Sequence, residues 1–267
     1  MSADYLYLDL ETLPSQRPDV LAEIRESKQS ALAAEIEAIR APGNYKDADK
    51  IAAWLSNEGQ QKAQALRDAF DADVDAAYRK TGLDGAYGQI CVIGFAVDND
   101  EPQTVWAPDW QNPNSERELL EDFYIALGDM ISPSAERSIM VVGHNVVSFD
   151  LRFMVQRSIV KCIRPHGVIS RAAQAKPWET DKVFDTMVQW AGAGNRISLD
   201  KLCKALGIES PKGDITGATV WDAVKAGRIE EVVEYCAGDV IATREVHRRL
   251  TFSPIKSAAV ELEDWLA

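Results

Sequence analysis

Alternating apolar and polar positions near the start of the chain predict a β-strand over residues 5–10. The pattern then changes, because residues 18–80 lack β-branched runs and carry apolar side chains at helical spacing. This spacing predicts two or three helices, over about 20–39, 47–55 and 58–80. Asp47 is the expected N-cap of the second helix. The first strand is therefore followed by an all-helical segment, over about residues 14–85.

Strand patterns return after this segment. Apolar runs predict a hairpin, formed by 89–97 and 104–106, and a short buried strand at 139–142. Ser115 and Glu118 have the spacing of a capping box, which predicts a helix over 115–130. Further helices are predicted from near Phe149 and over 186–191, 199–206, 218–226 and 229–250. The order of three strands, a helix, a strand and then mostly helices indicates an α/β fold with a small mixed sheet.

Composition narrows the class of protein. The chain has 267 residues, of which 46% are hydrophobic, so it suits one large domain or one domain with an insertion. Its net charge of −13 argues against binding DNA through bulk charge, so a nucleic acid would need a local basic face or metal ions. Scattered cysteines, no basic N-terminal leader and no membrane-length apolar run predict a cytoplasmic protein with reduced thiols and no membrane partner.

Three places along the chain carry acids that call for a chemical explanation. Asp9 and Glu11 share one strand face about 7 Å apart, and two like charges there repel unless a cation lies between them. Asp150 follows a buried strand, at the end of the sheet where α/β proteins keep their sites. Tyr235 and Asp239 are one helical turn apart beside a buried face. Taken singly, each also fits a structural role: a solvated strand end, an acid in a first helical turn, or an exposed helix acid.

Together these acids resemble the DEDD superfamily of 3′→5′ exonucleases. The first motif of that superfamily is D-x-E on the first strand, matched by Asp9 and Glu11. The second is Asn followed shortly by an aromatic residue and Asp, matched by Asn145, Phe149 and Asp150. The ordered set is far more specific than any one motif.

The third motif points to one branch of the superfamily. The DEDDy branch carries Y-x-x-x-D, matched by Tyr235 and Asp239. The DEDDh branch needs a His five residues before the Asp, where this chain has Glu234. Over residues 1–13 and about 86–250 the chain is similar to the exonuclease domains of family B DNA polymerases.

The resemblance implies both fold and activity. The fold would be RNase H-like, a mixed five-stranded sheet flanked by helices, with the whole chain as one exonuclease domain and residues 14–85 as a helical insertion. The activity would be metal-dependent 3′→5′ exonuclease action on single-stranded or frayed DNA 3′ ends, linked to proofreading or repair. Two Mg²⁺ or Mn²⁺ ions would stabilise the attacking and leaving oxygens, and such hard ions prefer carboxylate ligands.

The resemblance also assigns roles within the metal site. Asp9, Glu11 and Asp239 would hold the ion that activates the attacking water. Asp9 would also bridge to the second ion, which Asp150 supports. Tyr235 would orient that water or help to deprotonate it.

Four residues are assigned to substrate binding in the same way. Thr12 and Leu13 would contact the terminal nucleotide, while Asn145 and Phe149 would help to hold the strand.

A basic segment adds a second expectation about the substrate. Residues 151–205 contain ten basic and four acidic residues, a net charge of +6, while the rest of the chain carries −19. This asymmetry fits a wall that faces phosphates, although solvated helix faces would give the same count. Trp178 is a candidate for stacking on unpaired bases, Phe184 is expected in the core and Asp185 is expected to cap a helix.

Two other functions stay open at this point. A ribonuclease of the same superfamily would carry the same acids, because nothing in the motifs reads the 2′-hydroxyl. A non-catalytic binding or scaffold module on this fold would be expected to have lost ligands, and none of the acids is lost. The helical block at 14–85 exceeds what a minimal exonuclease domain needs, which leaves three roles open: a docking surface for a protein partner, a wall over the substrate cleft or a stability element.

Overall fold

Five strands pair into one mixed sheet in this computed structural model, which describes residues 4–176, 179, 181–210 and 213–253. They are β1 (Tyr5–Leu13), β2 (Gln89–Val97), β3 (Gln103–Trp106), β4 (Met140–Gly143) and β5 (Val183–Asp185). Their order across the sheet is β3-β2-β1-β4-β5. The predicted α/β fold with a mixed five-stranded sheet and helices is therefore confirmed.

The strand directions bring several strand ends to one edge of the sheet. β1 and β4 pair in parallel, as do β4 and β5, whereas β2 and β3 are antiparallel. β2 also runs against β1, because Asp98 after β2 donates its N–H to the Tyr5 carbonyl, while Cys91 early in β2 contacts the Glu11 carbonyl late in β1. The carboxyl ends of β1, β4 and β5 therefore lie together.

The chain folds as two compact units, and one of them, Leu13–Gln89, is helical. It contains α1 (Pro18–Glu37), α2 (Ala48–Trp54) and α3 (Gln60–Lys80). Asp47 caps α2 by accepting the Lys50 N–H at 2.9 Å, as predicted. The predicted gap at 56–57 is wrong, because a π-helical turn, Leu55–Gly59, joins α2 to α3. Gly59 belongs to this turn, and a Cβ there would lie 3.4 Å from the Trp54 ring.

The other unit consists of residues up to Thr12 together with those from Ile90 onward. Its described residues form α4 (Ser115–Met130), α5 (Asp150–Val160), α6 (Gly167–Ala173), α7 (Thr186–Ala191), α8 (Leu199–Leu206), α9 (Val220–Lys225) and α10 (Ile229–Leu250). None of the helices in the described parts of the chain is long and apolar enough to cross a membrane. The single domain over 1–267 with an insertion at 14–85 stays a prediction.

Alternation along β1 separates the two faces of the sheet. Leu6, Leu8 and Leu10 are buried in the main core with apolar residues of α4 and α5. Tyr7 packs on the opposite face against Val240 of α10. Because side chains alternate along a strand, the acids of β1 share the face of Tyr7 and α10.

The structure differs from the sequence predictions at the start of α4 and in the short elements α6 and β5. The capping box is wrong, since Ser115 is the first residue of α4 and its hydroxyl donates to the carbonyls of Asp109 and Asn112 at 2.5 and 2.8 Å. α6 is not predicted, and β5 is anticipated only as an apolar pair before Asp185. β5 has three residues, too few for an alternating pattern to register, and α6 begins at Gly167, a residue type that disfavours helices.

Candidate active site

Asp9 and Glu11 form the centre of an acidic cluster at the end of β1. One ligand atom from each of them and the Cys236 Sγ all lie within 4.8 Å of one another. The Cys236 thiol donates to Asp9 Oδ2 at 3.3 Å and contacts the Asp9 carbonyl at 3.7 Å. α10 therefore packs directly against the acidic end of β1.

Close packing of α10 on the sheet depends on a glycine in β2. A Cβ on Gly94 would lie 2.9 Å from Cys236 Sγ and 3.0 Å from Val240 Cγ2. Such distances are shorter than van der Waals contact allows, so any side chain at this position would push the helix away.

Asp150 reaches the same cluster from the loop after β4. Its Oδ1 accepts the backbone N–H of Leu10 at 3.1 Å, and its side chain is buried. The loop turns sharply at Gly143, where a Cβ would lie 2.5 Å from Val146 Cβ. Asn145, two residues later, has a φ of 64°, a left-handed conformation that is uncommon outside glycine. This tight turn aims Asp150 back at β1.

Tyr235 and Asp239 complete the group from α10. The Tyr235 phenol lies close enough to the Asp239 carboxylate to lower its pKa, as the one-turn spacing allows. Both side chains line an open cleft of about 470 Å³, together with Asp9 and Asn145. The structure thus brings together the four acids and the tyrosine that the sequence motifs predicted.

Burial raises the pKa of every acid in the cluster. Asp9 has a pKa well above its usual value because it is desolvated and because Glu11, Asp239 and Asp150 lie close to it. Desolvation raises the pKa of Glu11 strongly as well. It raises the pKa of Asp150 to about 7 and that of Asp239 to about 6, the latter despite the lowering effect of the Tyr235 phenol. Four acids held this close repel one another unless protons or cations offset their charge.

The donor set fits a hard divalent cation. Carboxylate oxygens are the ligands that Mg²⁺ and Mn²⁺ prefer. The Cys236 thiol has a strongly raised pKa, first from burial and then from Asp9, so it stays protonated and donates a hydrogen bond. Asp9, Glu11, Asp150 and Asp239 are therefore the residues that can hold such an ion.

A larger cavity lies elsewhere and carries no comparable chemistry. It measures about 720 Å³, belongs to the helical unit and is lined by Tyr45, Trp54 and Lys50 among others. Among the described residues, no group of three or more metal-ligating side chains lies around it. We therefore place the candidate active site at the smaller cleft.

Asp185 has two structural roles, of which the sequence predicts one. It caps α7, as predicted, by accepting the N–H groups of Met187 and Val188 at 3.1 and 3.3 Å. Its buried carboxylate also accepts the N–H of Asn145 at 3.0 Å and that of Val147 at 3.1 Å. One carboxylate thus holds the loop that leads to Asp150. A lone Asp before a helix signals only the cap.

The residues predicted to bind substrate lie in different surroundings. Asn145 lines the cleft, and its buried Oδ1 has no hydrogen-bond partner among the described residues. Phe149 is half-buried against Phe153. Thr12 is half-buried, and Leu13, fully buried, belongs to the helical unit. Their contacts with a nucleotide stay predictions.

The basic side chains of residues 151–205 do not form one continuous surface in the structure. Arg157 and Lys161 pair with the buried Glu116, and Arg171 donates to backbone carbonyls. Lys182 and Lys204 pair with nearby acids on their own segments. At least five of the ten basic side chains therefore have structural partners.

The structure tests the prediction for Phe184 but not the one for Trp178. Phe184 packs against the Tyr7 core cluster and stacks edge-on against His247, as expected of a core residue. Trp178 lies outside the described residues, so its stacking on bases stays a prediction.

Comparison with known families identifies the class of protein. A family model described as a predicted 3′-5′ exonuclease related to the exonuclease domain of PolB matches residues 83–260, more than half of the chain. The match contains Asp150, Tyr235 and Asp239, while Asp9 and Glu11 precede it. No curated protein sequence matches the chain.

Proposed function

The chain belongs to a family of predicted 3′-5′ exonucleases related to the exonuclease domain of PolB, and on that premise we propose that it removes nucleotides from DNA 3′ ends with the help of divalent cations. The observation that carries the proposal is the clustering of four carboxylates around Asp9, with Asp9, Asp239 and Tyr235 lining one open cleft. We place the chain in the DEDDy branch, because Tyr235 stands one turn before Asp239 and interacts with it.

The four carboxylates would serve as the ligands of the cations. Asp9, Glu11 and Asp239 would share one ion, and Asp150 would support a second through Asp9. When bound, Mg²⁺ or Mn²⁺ would supply the positive charge that stabilises the attacking and leaving oxygens of the phosphodiester. The hydrogen bond from Leu10 keeps the Asp150 carboxylate pointed at this group.

Tyr235 would orient the attacking water as a hydrogen-bonding phenol. Burial raises its pKa above the usual value, with Asp239 as a second cause, so the phenol keeps its proton at neutral pH. A neutral phenol orients a water better than it deprotonates one. Asn145 lines the cleft beside it and would contact the substrate strand, as would Phe149.

The choice of DNA rests on the relation of this family to the exonuclease domain of PolB. RNA is the alternative substrate, because the acids act on the phosphodiester and do not read the sugar. The net charge of the chain, −13, does not favour the binding of either nucleic acid. The cations and local positive groups would have to offset the phosphate charge.

A time course on 5′-labelled single-stranded DNA and RNA tests the proposal. The wild-type protein is incubated with Mg²⁺, Mn²⁺ or EDTA, beside Asp9→Ala and the matched control Asp129→Asn, which removes an exposed acid of α4. We expect a ladder that shortens from the 3′ end with either metal, faster on DNA, absent with EDTA and absent in Asp9→Ala. Full activity in Asp9→Ala would show that the metal site is misassigned. Faster cleavage of RNA would favour the exoribonuclease.

A further inference from the structure

The acidic cleft contains one guanidinium among its described lining residues, that of Arg196. Arg196 lies in the segment between α7 and α8, and its side chain is exposed. No described residue forms a hydrogen bond or ion pair with that guanidinium. It is therefore an exposed cation in the lining of the cleft that Asp9, Tyr235 and Asp239 also line.

We propose that Arg196 binds a backbone phosphate of the substrate strand in this cleft, and that His144 positions the segment that carries Arg196. The inference rests on the proposed exonuclease function and adds to it the residue that attracts the strand.

The charge in the cleft gives the first argument. A polynucleotide brings one negative charge per phosphate towards a site that already holds four carboxylates, so the approach is unfavourable without fixed positive charge. A guanidinium meets this need, because its planar fork of N–H donors matches two phosphate oxygens at once. Cations on the carboxylates would act at the reacting phosphate, which leaves the neighbouring phosphates to side chains.

The other basic residues nearby give the second argument. Arg157, Arg171, Lys182 and Lys204 have structural partners, and Lys161 contacts Glu116. None of these five lines the cleft, and neither do Arg152, Arg164, Lys176 or Lys201. Of the ten basic residues in the segment, Arg196 is the one that lines the cleft of Asp9 and Asp239.

His144 gives the third argument, because it ties the Arg196 segment to the site. Its Nε2 donates to the carbonyl of Ile197 at 2.9 Å, and its Nδ1 lies 2.9 Å from Thr186 Oγ1. His144 belongs to the turn that leads to Asp150, and its ring also lines the cleft. The residue after Arg196 is thus fixed to the turn that carries the predicted substrate contact Asn145, so the exposed guanidinium starts from a defined position.

The test measures both binding and turnover with a single-stranded oligonucleotide. Arg196→Gln removes the charge and keeps a polar side chain, while Arg137→Gln makes the same charge change just before β4, at the opposite end of that strand from the cleft. We expect Arg196→Gln to raise KM about ten-fold at low salt with a much smaller change in kcat. In the non-cleaving Asp9→Ala background, Kd should rise by the same factor.

Salt dependence separates a phosphate contact from a general disturbance. Loss of one phosphate contact should reduce the slope of log Kd against log salt by about 0.7 for a single strand. Arg196→Lys should keep that slope and recover part of the affinity, because it keeps a charge but not the fork. A KM, Kd and salt slope equal to those of Arg137→Gln would overturn the proposal.

The positioning role of His144 needs a coupling measurement. His144→Ala should raise KM more than it lowers kcat, and the double variant His144→Ala/Arg196→Gln should be no worse than Arg196→Gln alone. Fully additive effects would remove His144 from the proposal and leave Arg196. Strand binding without cleavage by the wild-type protein would refute the exonuclease while Kd still tests Arg196. Absence of both binding and cleavage would refute both proposals.

Discussion

Asp150 Oδ1 accepts the backbone N–H of Leu10 at 3.1 Å, a hydrogen bond between residues 140 positions apart in the chain. Leu10 stands between Asp9 and Glu11 on β1, so this bond fixes the loop acid against the strand that carries the other two. Its donor is a backbone group in a central strand, which moves less than a side chain. The site is therefore built on the sheet and does not depend on flexible surface residues.

Asp239 and Tyr235 should differ sharply in their effect on turnover. Asp239→Asn removes a metal ligand and should lower kcat by about 10³-fold or more, whereas Tyr235→Phe removes only the water-orienting hydroxyl and should cost roughly 10- to 100-fold. Single-turnover cleavage of a labelled oligonucleotide measures both. Tyr124→Phe is the matched control, because Tyr124 is a buried tyrosine that bonds Ser158 away from the cluster. Equal losses in Tyr235→Phe and Asp239→Asn would contradict the assigned roles.

The metal-free protein should lose stability as the pH rises. The pKa values of Asp9 and Glu11 are raised well above normal and that of Asp150 is raised to about 7. A carboxyl with a raised folded-state pKa binds its proton more tightly in the folded protein, so its contribution is fully present below about pH 4 and is lost as pH rises through the folded pKa. In EDTA, Tm should therefore fall between pH 5 and pH 8.

Two interventions should reverse that loss. Mn²⁺ should raise Tm at pH 8 because it binds the folded state. Asp9→Asn should raise the metal-free Tm at pH 8 by roughly 5 °C, because it removes one repelling charge. Asp129→Asn is the control, and a Tm in Asp9→Asn below that of the wild type would argue against repulsion in the cluster.

Asp185→Asn should weaken the loop that leads to Asp150. The carboxylate accepts four backbone N–H groups, and only Val147 uses Oδ2. An amide in its place would lose the charge and turn an NH₂ towards the N–H of Asn145 or Val147, at a cost of about 2 kcal/mol.

Thermal unfolding and kcat measured well below Tm together test this role of Asp185. We expect both to fall. Asp200→Asn is the matched control, because Asp200 is an exposed acid in the first turn of α8. A drop in Tm with unchanged kcat would limit Asp185 to a structural role.

Arg157→Met should destabilise the protein more than any exposed ion-pair change. Glu116 is 1% exposed, accepts the N–H of Ile90 at 2.9 Å and pairs with Arg157 at 2.7 Å. Removal of the arginine leaves this carboxylate buried beside one partly exposed lysine, which costs about 3–5 kcal/mol. Urea unfolding measures the change, and the double variant Glu116→Gln/Arg157→Met should recover part of it.

Lys204→Met is the control for that measurement. It breaks the exposed pair with Asp200, so it should leave the urea midpoint nearly unchanged. A similar loss of stability in Lys204→Met and Arg157→Met would mean that burial does not increase the contribution of the Glu116 pair to stability.

Local spacing explains why so much of the site could be predicted. Asp9 and Glu11 share a face because side chains alternate along any strand, and Tyr235 meets Asp239 because any helix turns once in four residues. The bounds of α8 and α10 follow the same rule, since each has apolar residues at helical spacing. These features need only a few neighbouring residues.

Tertiary packing decided the remaining features. The sequence shows ten basic residues in one segment. It does not show that Arg157 forms a buried ion pair with Glu116 while Arg196 lines the acidic cleft. It marks Asp185 as a helix cap, yet the same carboxylate also holds Asn145, forty positions away. Partners so distant in the chain meet only when strands and helices pack, and burial then determines which charges must be paired. The sequence by itself determined which chemical groups the site contains, and the packing of α10 and the β4 loop on β1 decided which of them meet.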